Sequence, residues 1–189
     1  MLSTEIREAT KDAHLSLEKH VVQRLKAIRS EADYSALLKF FYAYFNALER
    51  ALKTHITTAI LPDYASRRNS NFLKKDIEAL GTDTQDLPPT TTPEIKNHLQ
   101  ALGALYVMEG SIMGGSIIVK MLEKLNITNG VSFFSGYGEA TATMWATFTA
   151  VMNQQATTDA DKQTVINTAN EAFAHFQKLF ELHPEPAQH

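Results

Sequence analysis

Arg7, Lys11, His14 and Glu18 are spaced by four, three and four residues, which on an α-helix makes one face. The wheel puts His14 at the margin of an apolar stripe formed by Ile6, Ala9, Ala13, Leu17 and Val21, with the cations and the carboxylate on its polar side. A side chain there can enter a pocket whose mouth is wet. Neutral imidazole is a good iron ligand, and a carboxylate one turn on can tune its second ring nitrogen. Arg7 and Lys11 can meet carboxylates on the same ligand. A charged face with one histidine is ordinarily just a solvated face, and His20, nearer the centre of the stripe, competes with His14 as a ligand. His55, His98, His175, His183 and His189 form no HxxxH or HxH pair, so a structural zinc site is not indicated.

A second stretch, "YVMEGSIMGGSII" from Tyr106 to Ile118, carries Gly110, Gly114 and Gly115 inside an otherwise helical pattern. Each glycine in a helix interior costs roughly 1 kcal/mol relative to alanine. Glycines here let a helix bend and bring bare main chain against a flat ligand. They also let two helix backbones approach, and a lone GxxxG would be read that way. Ser111 and Ser116 lie among them.

The elements that must position these groups are helical throughout, and no alternating strand, internal repeat or domain linker is visible. Apolar periodicity predicts helices over about 3–28, 30–57, 69–80, 94–125 with a break at the glycines, 139–155 and 159–182. Ser30 and Asp33 read as a capping box, Gly81 as a helix stop, and "TDTQDLPPTTTP" as the clearest loop. Pro184 and Pro186 close the chain, leaving 183–189 as a tail to one domain with a core of about 3–182. The 189 residues suit a single domain. With 44% hydrophobic and 21% charged residues and a formal net charge of -3, no broad nucleic-acid surface is expected. Cysteine is absent, which excludes disulfides and thiolate chemistry. The N-terminus has no signal-peptide core, and no run of about 18–20 apolar residues is expected to span a membrane. Cytoplasmic residence is the default.

The combination resembles the heme oxygenases, particularly the bacterial biliverdin-forming ones. "IREATKDAHLSLE" is similar to their proximal-helix motif and "LYVMEGSIMGGSII" to their distal-helix motif. "RRNSNFLKKDIEALG" resembles an Arg-rich loop with its following helix, and "EAFAHFQKLFEL" the last helix. The resemblance runs through nearly the whole chain in the family's order. It implies an all-α, single-domain bundle holding heme between a proximal helix and a glycine-kinked distal helix. It implies His14 as iron ligand, Glu18 as a carboxylate near it, and Arg7, Lys11 and Tyr106 near the heme propionates. Gly110, Gly114 and Gly115 would lie over the oxygen site, Ser111 would hold distal water, and Phe173 and Phe180 would wall the pocket.

Three departures stand out. Ser111 occupies the place of a carboxylate in mammalian members, Phe176 the place of an asparagine in some, and "GEATATMWATFTAVMN" lacks basic residues aimed at propionates. The implied reaction makes heme both substrate and cofactor. It is opened with oxygen to biliverdin, carbon monoxide and ferrous iron. No GxGxxG fingerprint is present, so electrons would come from an external donor such as ferredoxin, flavodoxin or their reductase, with Lys120 and Lys124 as docking candidates. The alternatives are a heme-binding carrier or sensor without turnover, and a thiamin-degrading relative, which the missing cysteine disfavours. The absence of two ExxH pairs disfavours a di-iron bundle.

Overall fold

The computed structural model describes residues 1–185; Pro186 and the rest of the expected tail lie outside them. The described residues form α1 (Leu2–Ala9), α2 (Lys11–Ala27), α3 (Glu31–Leu52), α4 (Ser70–Ala79), α5 (His98–Gly110), α6 (Ile112–Glu123), α7 (Thr141–Gln155) and α8 (Asp159–Leu182), with short 3₁₀ turns at Tyr64–Ser66 and Gly138–Ala140. Among the described residues there is no strand.

α3 is central because it is apolar around much of its circumference. Tyr34, Leu38, Phe41, Tyr44, Phe45 and Leu48 are all buried. Its two buried phenols find carbonyls elsewhere in the fold: Tyr34 donates to Gly130 O at 2.6 Å and Tyr44 to Ala172 O at 2.5 Å. α5 lies along α8, and the contact is backbone-close. A Cβ on Gly103 would stand 2.4 Å from Val165 O. α4 is tied to the loop before α7 by Asp76, whose carboxylate accepts from Ser132 N, Ser132 Oγ and Phe133 N. α8 begins with a complete capping box between Thr158 and Asp161.

Several boundaries differ from the expected ones for local reasons. The first helix is two, divided at Thr10 (φ -107°, ψ 1°). The buried Thr10 hydroxyl donates to Ile6 O at 2.7 Å, a back-bond that bends helices. Ser30 caps α3 by accepting from Asp33 N, but the Asp33 carboxylate accepts from Arg29 N rather than closing the box on Ser30. α3 ends at Leu52, not near Thr57, and buried Ile56 turns inward through a bond from its N–H to Leu52 O. α5 starts at His98, where Asn97 caps by accepting from Gln100 N, rather than at Glu94. His98–Glu123 is long and apolar enough by composition to cross a membrane, against expectation, but 50% of its most apolar window is buried in the bundle. The expected break in this stretch falls at Ser111.

Gly115 is where the packing requirement is sharpest. A Cβ there would meet Phe134 O at 1.9 Å, whereas one on Gly114 meets nothing within 4 Å. Gly115→Ala is therefore expected to lower stability by about 1–3 kcal/mol through overpacking. Gly114→Ala, on the same helix, should raise it by up to about 1 kcal/mol. Paired thermal melts check the opposite signs; equal shifts would show that the two glycines do not differ in packing.

Candidate functional site

α2 leans on α8 and α3, and its two buried residues, Leu17 and Leu25, line the inner of two adjoining cavities across which it faces α5 and α6. Both are lined by His14, Val107, Gly110 and Phe173, so they form one slot with its waist between His14 on α2 and Gly110 on α5. The inner half holds about 190 Å³ and the outer about 540 Å³, so the outer half alone falls within the roughly 300–1,000 Å³ of small-molecule sites. Phe41, Phe45, Phe134 and Phe176 line the inner half, so its walls are apolar. The outer half carries the charge: Arg7, Glu8 and Lys11 line it with Tyr106 and Trp145.

His14 is exposed, its ring 5.6 Å from that of Phe173. The slot is lined by charged side chains on one side of the imidazole and mainly by apolar ones on the other. Burial raises the Tyr106 phenol, while the Thr10 hydroxyl and the Arg7 charge pull it back. His20, the competing histidine, faces elsewhere. Its Nε2 is 3.8 Å from Glu181 Oε1, its ring stacks on Phe180, and it lines a separate cavity with Arg24 and Glu185. Glu18 is exposed and lines the inner half.

The glycines separate by the direction of their missing side chains. Gly110 and Gly114 line the slot. A Cβ on Gly110 would be in ordinary contact with Trp145 at 3.7 Å, so neither glycine is demanded by packing. Gly115 is turned the other way, onto the Phe134 carbonyl, and lines neither half of the slot. The expectation that it touches the ligand is corrected accordingly. Phe180 is corrected too. It is buried against Phe40, with ring centroids 5.2 Å apart, and it is Phe176, one turn earlier on α8, that reaches the inner half. Phe173 lines both halves. Lys120 and Lys124 do not line the slot.

Behind the distal break stands a group of buried charges that the sequence reading did not single out. Arg67 donates to both oxygens of Asp63 at 2.8 and 2.9 Å and to Glu109 Oε2 at 2.7 Å. Tyr137 OH donates to the same Glu109 carboxylate at 3.1 Å and accepts from Arg68 N at 3.1 Å. Arg68 donates to Phe133 O, Met108 O and Ser111 Oγ. Burial alone would lower Arg67, but Asp63 and Glu109 outweigh it and hold it above its ordinary value. Arg68 has fewer charged neighbours, and burial brings it down to about 10. Burial and Glu109 push Tyr137 up to about 12. One signal was available: Glu109 is the lone charge in the run from His98 to Ile118, and a carboxylate there needs a buried cation.

A family model described as heme oxygenase matches residues 1–182. The heme oxygenase of Xanthomonas campestris pv. campestris (strain 8004) is 27% identical over 169 residues, spanning 88% of this chain and 100% of that protein. Heme oxygenase PigA of Pseudomonas aeruginosa is 22% identical over 181 residues, spanning 95% and 91%. Among solved structures, the NO- and CO-bound heme oxygenase from Neisseria meningitidis aligns with a TM-score of 0.81 at 21% identity, over 100% of this chain and 95% of that one. The heme oxygenase from Leptospira interrogans aligns with a TM-score of 0.76, also at 21% identity, over 96% and 98%.

His14 opens into the slot and His20 onto the C-terminal end of α8, so their substitutions must differ. His14→Ala is expected to abolish the neutral-histidine spectrum of added heme, and His20→Ala to preserve it. A heme titration followed in the visible region checks this. The reverse result would move the ligand to His20.

Proposed function

The chain belongs to the heme oxygenase family, and on that premise we propose that it opens heme to biliverdin, releasing carbon monoxide and ferrous iron. The observation that carries the reading is the slot itself. A solvent-accessible histidine and two glycines without side chains line one space that is apolar on one side and carries Arg7 and Lys11 on the other. These residues fit a flat dianionic macrocycle. When bound, heme supplies the iron that activates oxygen and the carbon that is oxidised.

Each residue then has a task. His14, on α2, would ligate the heme iron, its imidazole a weaker electron donor than a thiolate. Arg7 and Lys11, at the wet edge with Tyr106, hold the propionates. Phe173 and Phe176 wall the apolar body of the ring, and Glu18 stands near the ligand's helix. Gly110 and Gly114 present no side chain to the slot and would leave room beside the bound heme for a diatomic molecule. Ser111, at the break, is the polar side chain that α5 and α6 offer the inner half, and it holds the water that delivers protons. Electrons come from an external donor, a ferredoxin, a flavodoxin or their reductase, with Lys120 and Lys124 in the docking surface. The work is done in the cytoplasm.

The deciding experiment adds heme, then a reductant in air, and follows the visible spectrum. Loss of the heme band with appearance of biliverdin is expected. Heme that is bound through His14 but survives reduction would make the chain a carrier or sensor.

Two substitutions probe the parts. Removing the charge at Arg7 or Lys11 should each weaken heme binding by about two- to fivefold, the range of an exposed ion pair. An unchanged affinity in the double variant would place the propionates elsewhere. Gly114→Leu should fold at least as well as the native chain and still hold ferric heme, yet lose biliverdin formation. Melting, heme titration and turnover on the one variant separate these outcomes, and normal turnover would remove the catalytic reason for the glycine.

A further inference from the structure

The chain has no cysteine and six methionines, so its sulfur chemistry is thioether chemistry. Met108 and Met152 are buried, and Met121 and Met144 are half-buried. Two methionines stand open to solvent, Met1 at 79% and Met113 at 56%. Met1 precedes α1 and lines neither half of the slot. Met113 lies just past the break between α5 and α6 and lines the outer half together with His14, Gly110 and Tyr106. With Leu15 and Ile117, also exposed, it makes an apolar lip to the slot. An accessible thioether is the most readily oxidised side chain in a protein without thiols, and this one borders the space in which oxygen is reduced.

We propose that Met113 is an oxidation site of the slot: its sulfur intercepts hydrogen peroxide formed when reduced oxygen leaves the slot unused, and the resulting sulfoxide loosens the hold on heme. Two electrons from the external donor and two protons turn oxygen into the peroxide. The thioether sulfur then attacks one peroxide oxygen. The S–O bond forms as the O–O bond breaks, and the second oxygen leaves as water with both protons. Sulfur is oxidised by two electrons and the peroxide is reduced by two. The sulfoxide is polar where the thioether was apolar, so covering it with a flat apolar ligand now strips water from a strong acceptor. Methionine sulfoxide is restored by dedicated reductases, which makes the site a reversible brake on a slot that wastes oxygen. The inference rests on the heme-oxygenase reading above for the source of the peroxide, but the effect of the sulfoxide on heme binding is measurable without turnover.

In a first arm, hydrogen peroxide is added to the heme-free protein and removed, and ferric heme is then titrated. Peptide mass should show oxygen added at Met113. Heme affinity is expected to fall about fivefold, part of what burying a methionine contributes, and to recover on treatment with methionine sulfoxide reductases. Met113→Leu keeps an apolar lip without sulfur, so its own heme affinity should be the same before and after peroxide. A Met113 that stays a thioether, an affinity unmoved by its oxidation, or an equal loss in Met113→Leu would each overturn the proposal. In a second arm, the heme complex is given a reductant in air, with catalase present to destroy peroxide that reaches bulk solvent. Met113 should gain oxygen ahead of Met1, although Met1 is the more exposed. Oxidation of Met1 as fast as Met113, or a Met113 spared by catalase, would show that the slot does not direct the oxidant and would overturn the proposal as well. Failure to form biliverdin in this arm would overturn the heme-opening reading instead, and the peroxide arm would still decide whether Met113 governs the slot.

Discussion

The close approach of α5 to α8 governs the rest of the bundle. Gly103 lets the α5 backbone settle against Val165 O with no side chain between, and small residues continue the contact, with Ala101, Ala104, Ala169 and Ala172 buried along it. Two helices packed at this distance form a stiff spine. α3 fills one side of it with aromatic rings, stacked and edge-on around Phe176. α2 rests on α8 and α3, which hold it off α5 and α6. The slot is the space left between helices whose positions are set by other contacts, and that is how a chain of 189 residues keeps an apolar cavity without collapsing onto it.

The charges behind Ser111 solve a second problem. A break in a helix leaves carbonyls without partners, and here the break is only half-open to solvent. Arg68 takes the Met108 and Phe133 carbonyls, while Arg67 takes the Met144 carbonyl and the Glu109 carboxylate. Burying these groups is expensive, and such pairs seldom add net stability. Breaking one partner away is worse, at about 3–5 kcal/mol. The arrangement therefore fixes one geometry of the break rather than strengthening the fold. It also means that Ser111, which lines the slot, has two of its hydrogen bonds already assigned.

Much of this was legible in the sequence. The helices follow from apolar periodicity, and the 159–182 helix was placed to the residue because its cap, pattern and terminal prolines agree. The face carrying Arg7, Lys11 and His14 was legible for the same reason, since spacing fixes direction on a helix. Directions across the bundle were not. Gly114 and Gly115 are adjacent in the same motif, and only the fold shows that one meets open space and the other the Phe134 carbonyl. Phe176 and Phe180 are one turn apart on one stripe, too close in angle for a wheel to say which reaches the cavity. The bend at Thr10 was hidden because its hydroxyl satisfies the helix while deforming it. Arg67 and Arg68 read as loop cations, because nothing local announces that Glu109 lies across from them.

The cost of three glycines in one helical stretch, about 3 kcal/mol in all, now divides by cause. For Gly115 it is offset within the fold, since any side chain would drive the loop bearing Phe134 off α6. Gly110 and Gly114 have no such offset. Their positions accept a Cβ without collision, so alanine at both would be more stable by intrinsic propensity. A chain that retains the less stable residue at two positions facing one cavity is shaped by something in that cavity. The same holds for the exposed flank of the slot, where Met113, Ile117 and Leu15 stand 56%, 63% and 43% exposed on the helices to either side. Large apolar side chains at the lip of an apolar slot gain nothing from water, but they extend the wall for a ligand that stands partly out of the protein. Bare backbone above, imidazole below, apolar lips at the rim and cations at one edge describe a flat, largely apolar guest with its charge at one end.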